Sequence, residues 1–339
     1  MKTIWGTFEG REIGIYTLEN EHLRLEISDF GAIIRSLFVK SFQKDVVLGY
    51  DTLADYVRDT KYLGATIGRC TNRIEKGRFI LNGKPFQLAL NNGPNHLHGG
   101  ILGFDKRVFD VLRQDETSII LRYFSADLEE NYPGNLDFSL SVKLAGNRVE
   151  LEYRGLCDQD SPFNPTQHSY FNLSDEDTIH NHSLRIDADF FAPVDPDGLS
   201  LYPPLPCLDA MDFKSPVPLG KRLIQDEPQF NLAKGLDHHF IRDLQSPKPF
   251  VELTYLDRCL CVSTSSPGAH VYSGNYLDSS PIGKAGFNNG FRSGICIETQ
   301  FYPNSLNNDA MPKGIVKAFE PMVLHTAWEF IRFTEENHE

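Results

Sequence analysis

A large antiparallel β-sandwich with a few short helices is the fold class this sequence predicts. Three observations predict it. Short runs of alternating apolar and polar residues recur along the chain, strong turn residues separate most of them, and only one stretch shows clear helical spacing. The 339 residues are 40% hydrophobic and 23% charged, enough for a sizeable core. No composition shift marks a linker, so a single domain over 1–339 is expected.

In chain order, 23–28 alternates as a half-buried strand should, and Asp29-Phe30-Gly31 reads as a step from strand to turn. The helical stretch is 51–59. Thr52 can cap it, and Leu53, Tyr56 and Val57 fall at helical spacing. Asn82-Gly83 is a preferred two-residue turn and predicts a hairpin of 77–81 with 84–90. Successive strands follow at 108–112, 118–124, 136–144 and 148–153, with Gly146-Asn147 turning the last two. Residues 164–173 read as a strand, 184–191 as another, and Asp195-Pro196-Asp197-Gly198 as a turn. Residues 200–235 are proline-rich and predict a long excursion with one short helix. Strands resume at 251–255, 260–264, 270–273 and 294–300, and close with 328–333.

Net charge is −13, which argues against nucleic acid or an anionic membrane as partner. No apolar run reaches the roughly 18 residues of a membrane span, and the first residues form no signal peptide. The six cysteines, at 70, 157, 207, 259, 261 and 296, include no CxxC pair. Cytoplasmic residence with reduced thiols is the simpler expectation. The sequence carries no signal of oligomeric state.

Several polar groups stand where strands ordinarily bury apolar ones. At strand period, Asn164, Thr166, His168, Tyr170 and Asn172 share one face, a row suited to hydrogen-bonding a small polar molecule. The alternative is a polar strand satisfied by its own neighbours. Glu298 shares a face with Cys296 and Gln300. It is either a core glutamate paired with an arginine or a carboxyl whose burial makes it a base near neutral pH. His96 and His98, two apart on an extended chain, would point the same way and invite a metal. The glycines and aliphatics that follow supply no acidic third ligand, so no metal site is expected. Arg73 and Asp237 lie near glycine-containing segments, with a surface salt bridge as their ordinary role. His238 and His239 are expected at the surface or behind a site.

Six segments in order resemble the aldose 1-epimerase (galactose mutarotase) family. They are Asn72-Arg73-Ile74, the Leu97-His98-Gly99-Gly100 core of 95–100, 164–173, Gly235-Leu236-Asp237-His238, Tyr272-Ser273-Gly274-Asn275 and Ile297-Glu298-Thr299-Gln300. The resemblance implies a supersandwich that interconverts the α and β anomers of free aldohexoses with neither metal nor organic cofactor. It also implies Glu298 as general base and His168 as general acid, expected on opposite sides of the sugar ring. Arg73, His98 and Asp237 would hold the sugar hydroxyls, with Asn72 and Tyr170 close by. His270 stands where many members carry glutamine, which makes it a departure at one sugar contact. Rivals on the same fold are a hexose-6-phosphate 1-epimerase, which needs basic residues for the phosphate, and a non-catalytic sugar-binding protein.

Overall fold

The computed structural model describes residues 2–247 and 249–333. Every strand ladder in it is antiparallel. Three sheets dominate, of nine, six and five strands. The nine-stranded sheet is built around the long strands Leu136–Ala145, Arg148–Cys157 and Met322–Arg332. The six-stranded sheet runs, in spatial order, Tyr170–Phe171, Ile295–Gln300, Gly268–Tyr272, Asp237–Arg242, Ala188–Ala192, Leu205–Pro206. The expected sandwich is borne out, and among the described residues three short α-helices accompany it.

Alternation explains how the layers meet. Leu140, Leu151, Leu260 and Trp328 of the nine-stranded sheet pack in one apolar cluster with Phe240, Val271, Ile295 and Ile297 of the six-stranded sheet. Phe171 meets Trp328 edge to face at 5.0 Å, a favoured aromatic geometry. Leu25, Ile27 and Leu37 bring the five-stranded sheet into the same cluster. With odd positions of Ile295–Gln300 committed to this core, Cys296, Glu298 and Gln300 face the opposite side.

The local expectations hold where the signal is chemical. Thr52 Oγ1 accepts from the Asp55 N–H and caps the helix Leu53–Arg58. Asn82 and Gly83 both take positive φ, as the hairpin of Arg78–Leu81 with Lys84–Gln87 requires. Two strands differ from expectation. Residues 184–191 are not one strand but Ser183–Ile186 in the nine-stranded sheet and Ala188–Ala192 in the six-stranded sheet. The chain changes sheet at Asp187, held by Arg185 and the Ser246 hydroxyl. Both flanks are apolar, which hides the corner. Residues 164–173 likewise divide into Thr166–Gln167, paired with Thr66–Ile67, and Tyr170–Phe171, paired with Ile295–Gln300. The 200–235 excursion carries two short α-helices, Leu219–Arg222 and Pro228–Ala233, rather than one. No helix among the described residues is long and apolar enough to cross a membrane.

Arg69 ties the segment that delivers Asn72 and Arg73 to the rest of the fold. It is 2% exposed. Its guanidinium donates to Ser125 Oγ and O, Ala126 O, Pro133 O and Ser161 Oγ at 2.8–3.3 Å. Removing it relieves a buried charge but orphans several buried acceptors, each worth about 1–3 kcal/mol. The orphaned acceptors outweigh the relieved charge because most of them, Ser125, Pro133 and Ser161, are buried. Arg69→Met should therefore lose at least about 3 kcal/mol in urea unfolding. A loss below about 1 kcal/mol would show that Arg69 is not an anchor.

Candidate active site

A cavity of about 450 Å³ opens over the outer face of the six-stranded sheet. Strand register assembles its floor. His270 lies opposite Glu298, Tyr272 opposite both Asp237 and Cys296, and Tyr170 opposite Cys296 from the other side. Loops build the walls: Asn72, Arg73, Asn92 and His98 on one side, Asp195 to Gly198 on another. All eight residues singled out in the sequence, namely Asn72, Arg73, His98, His168, Tyr170, Asp237, His270 and Glu298, line this one cavity.

Glu298 is 2% exposed, and among the described residues no arginine forms an ion pair with it. Its Oε2 has no hydrogen-bond partner, and its Oε1 lies 3.6 Å from His168 Nε2. That gap is too long for a direct hydrogen bond. Burial pushes the Glu298 carboxyl well above the ordinary carboxylate range; Asp237 adds to this, while Arg73 and the Thr71 hydroxyl oppose it. Burial also lowers His168 to about 4. Both shifts favour the uncharged forms of the two groups.

His168 sits between the two short pairings of its segment. Its backbone N–H donates to Ala65 O at 2.9 Å, and its ring packs among Tyr62, His98 and Tyr170. Two of its polar face-mates, Asn164 and Asn172, hold the backbone and do not line the cavity. Asn164 Oδ1 accepts from the Phe301 N–H, and Asn172 Nδ2 donates to Ser293 O and Glu176 O. The Tyr170 hydroxyl donates to Lys61 O at 2.9 Å.

His96 and His98 do not point the same way. His98 takes a φ of +50°, so the chain is not extended there. The His96 ring turns inward to Tyr132 Oη and Ala89 O, at 2.7 and 2.8 Å. The acidic group missing in sequence arrives instead from Glu298. One donor atom each from His98, His168 and Glu298 fall within 4.8 Å of one another. The chemistry of His98 argues against a cation there. Its Nδ1 accepts the Asn72 backbone N–H at 3.2 Å, which puts the ring proton on Nε2 and leaves no free lone pair. Burial keeps the ring neutral. His98 is thus a fixed Nε2–H donor.

Neither Arg73 nor Asp237 is a surface salt bridge. Arg73 Nε donates to Asn92 Oδ1 at 3.0 Å, and the guanidinium packs under Gly198. Asn72, at φ +61°, accepts the Arg73 N–H on its own Oδ1 at 2.7 Å. Asp237 Oδ1 is 2.7 Å from His270 Nε2. Burial alone would raise Asp237, but the hydrogen bond and charge of His270, with Arg73 and His238, hold it at about 2. His270 therefore reaches the cavity and braces Asp237. His238 and His239 are both buried, so neither is a surface group. Tyr62, Asn92, Tyr272, Tyr276 and the Asp195–Gly198 turn also line the cavity and went unrecognised in the sequence. Of these, only the turn left a strong local signal.

Comparison with known proteins gives the family. The aldose 1-epimerase family model matches residues 14–328. The chain is 39% identical to galactose mutarotase of Sus scrofa over 92% of both chains, and 38% identical to that of Homo sapiens over 94% of both. It is 36% identical to aldose 1-epimerase of Haemophilus influenzae, over 91% of this chain and 92% of the relative. Among solved structures, galactose 1-epimerase from Lactobacillus acidophilus superposes with a TM-score of 0.88 at 28% identity, over 98% of this chain and 99% of the other. An aldose epimerase homologue from C. elegans gives 0.89 at 26%, over 95% and 100%. With its fold, its six ordered segments and a family model spanning nearly its whole length in agreement, this chain belongs to the aldose 1-epimerase family.

Proposed function

We propose that this protein interconverts the α and β anomers of free aldohexoses such as galactose and glucose by acid/base ring opening and reclosure. One observation carries the reading: a buried carboxyl with an unpartnered oxygen lies 3.6 Å from an imidazole nitrogen on the floor of a polar cavity.

Anomerisation breaks the C1–O5 bond. In this proposal Glu298 takes the proton from the C1 hydroxyl while His168 Nε2 delivers one to O5. The C1–O1 bond becomes the aldehyde double bond, and its electrons displace those of C1–O5. Rotation about C1–C2 presents the other face, and closure returns both protons. The chemistry needs Glu298 ionised and His168 protonated at the start. Sugar hydroxyls that hydrogen-bond the Glu298 carboxylate, with Arg73 nearby, favour that form.

The separation also revises how the sugar lies. Groups on opposite faces of a ring stand about 7 Å apart, twice the 3.5–4.0 Å contact distance. At 3.6 Å, Glu298 and His168 instead suit an edge-on approach, one to O1 and the other to O5, which share C1. Asp237 would accept from two adjacent hydroxyls, Arg73 and the His98 Nε2–H would donate, and Asn72, Tyr170 and His270 would complete the contacts. The continuous family match supports reading the chain as a single domain. Six buried cysteines, none in a disulfide, support a cytoplasmic, reducing setting.

The sugar-phosphate rival finds little support. Asp195, Asp197, Asp237 and Glu298 line the cavity against Arg73 and Lys61, and Lys61 is already bound to Asp278 and Ser280 O. An acidic rim repels a phosphate.

Three outcomes test this reading. Glu298→Gln and His168→Asn should each lower kcat at least about a hundredfold in polarimetry of fresh α-D-galactose; a near-normal rate in either removes that residue from the chemistry. The kcat/KM for glucose should exceed that for glucose 6-phosphate by at least about tenfold, and equal values would favour the rival. Gly198 has a φ of +74°, and a Cβ there would stand 2.8 Å from Arg73 Cζ. Gly198→Ala should therefore raise KM about three- to tenfold by displacing the guanidinium, with kcat less affected. An unchanged KM would mean that Arg73 does not need this packing.

A further inference from the structure

We propose that Cys296 is a positioning residue for His168: its sulfur accepts the His168 Nδ1 proton, so that Nε2 is the nitrogen that exchanges protons with the sugar. The inference rests on His168 being the acid of the proposed reaction, and it assigns a role to a residue that touches no sugar.

The geometry is set by the strand that carries Glu298. Cys296 lies two residues before Glu298 on the same face and opposite Tyr170 in register. That puts Sγ 3.5 Å from His168 Nδ1, within the range of a hydrogen bond to sulfur. Among the described residues, Sγ is the one side-chain atom at hydrogen-bond distance from that nitrogen. Cys296 is fully buried and does not line the cavity.

The chemistry requires the sulfur to accept. A neutral imidazole with its proton on Nε2 would have to become an anion on giving that proton to O5, which is prohibitive. An imidazolium that keeps Nδ1–H can give up its Nε2 proton and become neutral. A partner that accepts at Nδ1 therefore selects the working tautomer. Burial pushes the Cys296 thiol well above its ordinary range, with Glu298 adding to this, so it stays protonated and uncharged. A thiol is a weak acceptor. It orients the ring without stabilising the imidazolium as a carboxylate would, and so leaves His168 a stronger acid. The other groups facing the ring are Glu298 on Nε2, with Tyr62, His98 and Tyr170 around it and the charges of His270 and Asp237 beyond. No other side chain is placed to hold Nδ1; a hydrogen bond to the backbone of His168 itself favours the protonated ring and acts alongside Cys296.

The test uses the full chain with 15N-labelled histidine and compares wild type with Cys296→Ala, Cys296→Val and Cys296→Ser. Val matches the thiol in bulk without an acceptor and covers the case in which Ala fails to fold; Ser keeps an acceptor. Imidazole 15N–1H correlation should show Nδ1–H for His168 in wild type and a shift toward Nε2–H in Ala or Val. In galactose mutarotation those variants should lose about tenfold in kcat with KM changed less than about twofold, while Ser retains about half of kcat or more. A wild-type kcat in Ala or Val, or an unchanged His168 tautomer, would overturn the proposal. The two readings fail separately. Wild-type kcat in His168→Asn would sink the acid role and this proposal together. Loss of kcat in His168→Asn beside wild-type kcat in Cys296→Ala would sink this proposal alone.

Discussion

A carboxyl group taken out of water and left with one bare oxygen is the constraint around which the site is arranged. Glu298 reaches that state because the strand Ile295–Gln300 buries Ile295 and Ile297 in the core between the sheets. Once those positions are committed, alternation puts Cys296 and Glu298 on the other face. A buried charge without a partner is expensive, so burial favours the protonated form and raises the pKa. A stability cost at one residue thereby brings a carboxyl closer to the range a general base needs, which is the role proposed for it.

The histidine beside it is shaped by the same desolvation acting in the opposite sense. Burial lowers His168 while it raises Glu298, so the usual gap between a carboxyl and an imidazole closes from both sides. Each histidine around the cavity has its ring proton placed by a particular neighbour. The Asn72 N–H makes His98 an Nε2–H donor, the Asp237 N–H does the same for His238, and Asp237 Oδ1 takes the Nε2 proton of His270. Fixed tautomers make a site that recognises hydroxyls by direction.

Residues with backbone or capping chemistry were legible from the sequence alone. Thr52 announces its helix and Asn82-Gly83 its hairpin, because each acts on bonds within a few residues. The period of 294–300 placed Glu298 on the face with Cys296. Sheet membership was not legible. Asp187 turns a corner between two sheets, and nothing in the alternation of its flanks marks it. The polar row of 164–173 was visible, but its division of labour was not. Asn164 and Asn172 satisfy backbone groups 137 and 121 residues away, partners that no local pattern can name.

What the sequence by itself determined is the class of fold, the family, and which side chains are candidates for the chemistry, because periodicity, turn residues and ordered motifs are properties of the chain. What only the tertiary structure decided is how those side chains meet. It set the 3.6 Å between His168 and Glu298, the divergence of His96 from His98, the brace of His270 on Asp237 and the contact of Cys296 with His168. Each of these is a distance or a proton position between segments far apart in the chain. Such quantities follow from strand register and from what burial leaves without water, and both come into being only when the sheets close on one another.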